Sequence, residues 1–173
     1  MSRINRILAD YEFRQYTELN AARETGRKFC NHDLKHVIDV ARVTYTLFLE
    51  GLLQKEQVKT YFESLQQARE VIYAAGLLHD IGRWCEYDRG EDHAVASGQL
   101  AGPILTRAGY SSEEQQVISQ AVREHRKAGN KASFLGKLLC RADKLVRLCG
   151  YCQARGECYK IDSMDTAREL LLY

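Results

Sequence analysis

The chain has 173 residues, 45% hydrophobic and 28% charged, with one proline and a net charge of +2. That is enough for one domain with a substantial core. The small net charge argues against a general nucleic-acid binder, and the longest apolar runs, such as "ELLLY", are too short to span a bilayer. The first residues, "MSRINRILADYEFRQY", carry scattered charges and do not read as a secretory signal, so a cytoplasmic protein with reduced cysteines is expected.

Helix formers dominate and nothing reads as a strand, which predicts an all-α bundle of about six or seven helices in a single domain, 1–173. Residues 3 to about 25 form a helical stripe through Ile4, Ile7, Leu8, Tyr11 and Leu19. Asn31 is the expected N-cap of the next helix, running from His32 to about Leu53. Residues 54–65 read as a short helix or a loop. From about Gln66 the stripe Ala68, Ile72, Ala75, His79 follows, with Gly82 expected to close the helix in a left-handed cap. "RWCEYDRGED" reads as a polar turn. A helix from Asp92 to Ala108 should be kinked or interrupted by Pro103 and end at Gly109. Ser111 and Glu114 form a capping box for a helix ending at Gly129. Ser133 starts another, expected to reach Gly150, and a short helix from Ser163 closes the chain.

On these helices His36, His79, His93, His125 and Asp143 fall on or beside inward stripes, and Asp80 lies where the helix end turns it inward. Burying six such groups without partners is very costly. A divalent metal takes imidazole nitrogen and carboxylate oxygen together and offsets the carboxylate charge. Adjacent side chains on a regular helix diverge by about 100°, so termination of the helix is what lets His79 and Asp80 address one ion.

The order His36, His79-Asp80, Asp143 resembles the HD superfamily of metal-dependent phosphohydrolases over roughly residues 30–150, with a cysteine-containing tail at 150–173. The segments that carry it are "CNHDLKHVIDVARV", "VIYAAGLLHDIGRW", "EDHAVASGQLAGPIL", "ISQAVREHR" and "LLCRADKLVRLC". The resemblance implies that His36, His79, Asp80 and Asp143 hold a metal, with His79 and Asp80 at the catalytic centre. Members with extra histidines in the order of His93 and His125 hold a second ion bridged by the HD aspartate. One or two divalent ions are therefore expected, with Mn, Fe, Mg, Zn, Co and Ni not distinguished. The other pair, His32-Asp33, is expected behind the ligands or as a cap.

The implied activity is hydrolysis of a phosphate ester or anhydride, with a nucleotide as the expected substrate, by metal-activated water. Arg83, Arg126 and Lys144 are candidate phosphate contacts. The alternatives are a non-catalytic metal- or nucleotide-binding signalling domain and an HD-fold di-iron oxygenase. Substrate identity and oligomeric state are not readable. Finally, Cys149, Cys152 and Cys158 have spacing compatible with a structural metal, with Cys30 or Cys140 as a fourth ligand. The bland alternative is that they are small buried hydrophobes.

Overall fold

The computed structural model describes residues 2–54, 62–127, 129–169 and 173. All the regular elements among those residues are helices, without a strand. The helices are α1 (Ser2–Ala9), α2 (Tyr11–Glu24), α3 (Leu34–Gln54), α4 (Leu65–Leu78), α5 (Arg83–Arg89), α6 (His93–Ala108), α7 (Ser112–Glu124) and α8 (Phe134–Leu145). Four single-turn 3-10 segments follow, at Cys149–Tyr151, Arg155–Glu157, Ile161–Ser163 and Asp165–Ala167. No helix among the described residues is long and apolar enough to cross a membrane.

The centre of the molecule is α4, which packs against α1, α3, α6, α7 and α8. Its second half, Val71–Leu78, is apolar nearly all round, as a helix enclosed by neighbours must be. Ile72, Leu77 and Leu78 are fully buried, each worth about 1.5–3 kcal/mol of apolar transfer. Helix α3 approaches α4 closely enough that a Cβ on Gly76 would stand 2.4 Å from Ala41 Cα, so only glycine fits there. Phe48, Ile104, Leu105, Ile118 and Leu139 close the core from α3, α6, α7 and α8.

Several expected boundaries move, each for a local reason. The first helix is two, because the Asp10 side chain accepts from the backbone N–H groups of Glu12 and Phe13 and caps α2. Asn31 is not the cap of α3. Asp33 Oδ1 accepts from His36 N at 2.8 Å, so His32 precedes the helix. Residues 55–61 of the expected helix or loop at 54–65 lie outside the described residues, and Ser64 caps α4. The polar "RWCEYDRGED" is mostly helix: α5 ends at Gly90, whose φ of 68° is the left-handed cap. Pro103 does not interrupt α6, since it and Gln99, the residue four before it, are on the exposed face, where water can take the freed carbonyl. Helix α7 stops at Glu124 rather than Gly129, and α8 at Leu145 rather than Gly150. The closing helix from Ser163 is instead 3-10 turns.

Candidate metal centre

The site grows from the way α4 ends. Helix α4 stops at Leu78, His79 takes the C-cap position, and the chain turns through Asp80 and Ile81 to Gly82. Gly82 has φ −91°, so its expected left-handed cap is absent. Its smallness serves packing: a Cβ would lie 2.6 Å from Ser97 N and 2.9 Å from Ala96 C on α6. Ser97 Oγ accepts from Gly82 N at 2.8 Å, tying the turn to α6. From the other side Asn20 of α2 donates to the Asp80 carbonyl at 2.9 Å and accepts from Trp84 N at 2.7 Å. The turn is held between α2 and α6.

So held, the Asp80 carboxylate becomes the hub of the site, and every histidine of the chain faces it. Oδ2 lies 3.2 Å from His79 Nε2, 3.8 Å from His36 Nε2 and 3.9 Å from His32 Nε2. Oδ1 lies 3.1 Å from His93 Nε2 and 3.6 Å from His125 Nε2. Asp143 on α8 completes one side, its Oδ1 3.1 Å from His36 Nε2 and 3.9 Å from His79 Nε2. Two sets result, His36-His79-Asp80-Asp143 and Asp80-His93-His125, each with its ligand atoms within 4.8 Å of one another. Ligands about 2.1 Å from one ion stand about 3.0 Å apart when adjacent and about 4.2 Å when opposite. The observed separations fall in or close to that window.

The proton positions agree. His79 Nδ1 donates to Gly76 O at 2.7 Å and His125 Nδ1 to Val122 O at 2.6 Å; a carbonyl can only accept, so each neutral ring keeps its lone pair on Nε2. His93 Nδ1 donates to Glu86, and His32 Nδ1 to Glu24 at 2.5 Å. These are the outer partners that fix tautomer and orientation at metal-binding imidazoles. Inside, lone pairs face carboxylate oxygens, and the buried atoms His36 Nε2, His79 Nε2 and Asp80 Oδ1 have no hydrogen-bond partner. Orphaned acceptors around two carboxylates are costly unless a cation lies among them. The donor set therefore fits a divalent ion.

Without a cation the side chains compensate for one another. Burial works to raise the Asp80 carboxyl, yet the imidazoles of His79 and His32 hold it well below the usual aspartate range. Asp143 is likewise raised by burial but held low, first by the Arg147 guanidinium, whose Nη2 donates to Oδ1 at 2.6 Å. Burial works to lower His79, and the charge and hydrogen bond of Asp80, the charge of Asp143 and the Gly76 carbonyl together leave it raised.

Residues 33–148 match the HD domain family. The chain belongs to the HD domain family. It is 39% identical over 158 residues to an uncharacterized protein of Clostridium beijerinckii, a match that covers 91% of this chain and 92% of that protein. It also resembles bifunctional uridylyltransferase/uridylyl-removing enzymes over about a third of its length. That of Cereibacter sphaeroides is 41% identical over 58 residues and that of Mycobacterium tuberculosis 42% over 59. The chain spans only 6% and 7% of those enzymes. No solved structure matches it.

The buried His/Asp clusters are consistent with an HD-type metal site, and they open on a cavity of about 400 Å³ lined by His32, Asp80, His93, His125 and Asp143. Of the expected phosphate contacts, all three line it, in different ways. Arg83 lies against the His93 ring, its Nη1 3.1 Å from Nε2. Arg126 bonds Asp92 at 3.0 Å and approaches Glu86, while Lys144 stands exposed at the rim. Arg27, Arg147 and Lys160 add cations the sequence did not single out.

The cysteines do not gather as a ligand set. Cys149, Cys152 and Cys158 are free thiols, and among the described residues no group of three or more metal-ligating side chains includes a cysteine. Helix α8 ends at Leu145 instead of Gly150, so Cys149 opens a 3-10 turn that Cys152 closes. Cys149 is buried, as a small hydrophobe would be; Cys152 and Cys158 are half-buried beside it, and they line a neighbouring hollow together with Cys30.

Sequence reasoning missed Asn20 and Glu24, ordinary polar positions of the first expected helix, and Glu86, within the expected polar turn, and it set His32 behind the site or at a cap. Asn20 and Glu24 are four residues apart and share a face of α2, but that spacing alone does not say that the face turns inward.

Proposed function

We propose that this HD domain protein is a metal-dependent phosphohydrolase that cleaves a phosphate ester or anhydride of a nucleotide. The observation that carries the reading is the junction of two His/Asp ligand sets at one carboxylate on the floor of a cation-rimmed cavity. His36, His79, Asp80 and Asp143 would hold one divalent ion, and Asp80, His93 and His125 a second. A divalent ion there supplies a water of lowered pKa and neutralises phosphoryl oxygen charge.

The chain's own residues supply binding and orientation. Arg83, Arg126, Lys144 and Arg147 surround the opening with donors suited to phosphate oxygens. Arg83 is held by Glu86 at 3.3 Å and by Tyr87 Oη at 3.2 Å, so its guanidinium is placed before a substrate arrives. Lys144 is free to swing onto one. Asp80 and His79, at the centre, orient the ligand set through the turn that ends α4. Enzymes partly similar to this chain act, by their name, on a uridylyl group, which supports a nucleotide as the substrate class.

The test is metal analysis of protein purified without chelator, followed by a screen of nucleoside mono-, di- and triphosphates and phosphodiesters with metal restored. Stoichiometric metal and release of phosphate or nucleotide are expected. A metal-replete protein that binds a nucleotide and turns over none overturns the hydrolase reading in favour of a signalling domain. Consumption of oxygen with an organic substrate overturns it in favour of an oxygenase.

A further inference from the structure

His32 belongs to neither ligand set and lies just outside the HD domain match, which begins at residue 33. Yet its ring is held firmly in place. Glu24 spends both carboxylate oxygens on it: Oε1 accepts from the ring Nδ1 at 2.5 Å and Oε2 from the His32 backbone N–H at 2.6 Å. Tyr87 Oη donates to the same Oε1 at 2.7 Å. Both residues are buried, Glu24 4% and His32 5% exposed. Burying a carboxylate in order to fix one ring is expensive, and apolar side chains would fill the same space more cheaply.

The fixed ring presents Nε2 to the cavity. With the proton on Nδ1, Nε2 carries a lone pair, and it faces Asp80 Oδ2 at 3.9 Å. That is too far for a hydrogen bond and involves two acceptors. It is a separation at which two atoms can share one cation, since ligands of an ion stand about 3.0 to 4.2 Å apart. The outer carboxylate of Glu24 repeats the arrangement of Glu86 behind His93, on the opposite side of Asp80.

We infer that His32, oriented by Glu24, is a further metal ligand on the cavity side of Asp80 Oδ2, contributed by the segment that precedes the HD domain match. The inference rests on the metal-centre reading above. It makes Asp80 the meeting point of all five imidazoles, and it assigns Glu24 of α2 the work of a positioning residue.

The probe is cobalt(II) alone, titrated into the metal-free full chain and followed by calorimetry and visible absorption. His32→Ala should lose one equivalent of cobalt, or bind one at least tenfold more weakly, with an altered d–d absorption. His32→Gln should behave the same, because its amide can keep a contact with Glu24 but offers no imidazole nitrogen. Glu24→Gln, which leaves the ring in place but weakens its outer partner, should weaken binding about tenfold. Far-UV circular dichroism monitors folding, and if both His32 variants unfold, Glu24→Gln decides the matter by the same criterion. Stoichiometry, affinity and absorption that match wild type in the folded variants overturn the inference. If wild type binds cobalt and His79→Ala does not, that overturning falls on His32 alone. A wild-type protein that binds no cobalt overturns the metal centre itself and this inference with it.

Discussion

The side-chain amide of Asn20 spans 60 residues of sequence to donate to the backbone carbonyl of Asp80 at 2.9 Å, while its oxygen accepts from Trp84 N at 2.7 Å. Both ends of the turn after α4 thus hang on one buried side chain, 3% exposed. Asn20→Ala strands one backbone donor and one acceptor, at about 1–3 kcal/mol each. We expect a loss of about 2–4 kcal/mol in urea unfolding. A loss under about 0.5 kcal/mol would show that water replaces the amide at no cost.

Asp80 serves both ligand sets, whereas His93 serves only one. Asp80→Ala should purify without bound metal. His93→Ala should keep the ion held by His36, His79, Asp80 and Asp143. Elemental analysis of the two variants beside wild type separates these outcomes, and equal metal content in all three contradicts the shared hub.

Gly82 and Ser97 test the same seam from its two sides. Gly82→Ala forces a Cβ to within 2.6 Å of Ser97 N, backbone that cannot step aside, and should cost about 1–3 kcal/mol. Ser97→Ala removes the acceptor of the Gly82 N–H and should cost about 1–3 kcal/mol. Because the residues touch, the double variant should lose less than the sum.

Asp10 links stability to acid. Its carboxylate caps α2 and accepts from Arg107 Nε at 2.7 Å and Nη2 at 2.9 Å. The Arg107 hydrogen bonds lower its pKa below 3.8 despite partial burial, with the amides of Phe13 and Glu12 adding to them. A depressed carboxyl contributes stability that is fully present above its unfolded value, 3.8, and lost as pH falls through the lower folded value. Asp10→Asn keeps a capping oxygen and loses the charge. Its unfolding free energy should therefore fall less than wild type's between about pH 5 and pH 2.

Lys144 is exposed at the cavity rim beside Asp143. If it grips phosphate, Lys144→Ala should raise KM about tenfold and leave kcat within about threefold, the signature of lost binding. A fall in kcat at constant KM would instead place Lys144 at the reacting bond.

Much of this could be read from the sequence because period and rare residues coincide. Ile72, Ala75 and His79 on one stripe, and Ile118, Ala121 and His125 on another, set buried imidazoles toward a common interior, although α4 and α7 end at Leu78 and Glu124, short of the glycines expected to close them. What was hidden depended on contacts between distant segments. Nothing local tells that Asn20 and Glu24 face inward, because α2 has no clean apolar stripe. Gly82 shows how one residue answers to two physical causes: a glycine after a helix suggests positive φ, while here its lack of a side chain admits α6. His32 reads as lying behind the ligands because the family order begins at His36, one turn further on, whereas the cap at Asp33 leaves His32 outside α3, in the segment that leads into it.

A single carboxylate with three imidazoles on one oxygen and two on the other has a thermodynamic consequence. Charge placed at Oδ2 polarises Oδ1, so whatever is bound on one side changes the free energy of binding on the other, and by the same amount in return. If ions occupy both sides, their occupancies form one coupled equilibrium, and a titration of this centre should not resolve into the sum of two independent isotherms.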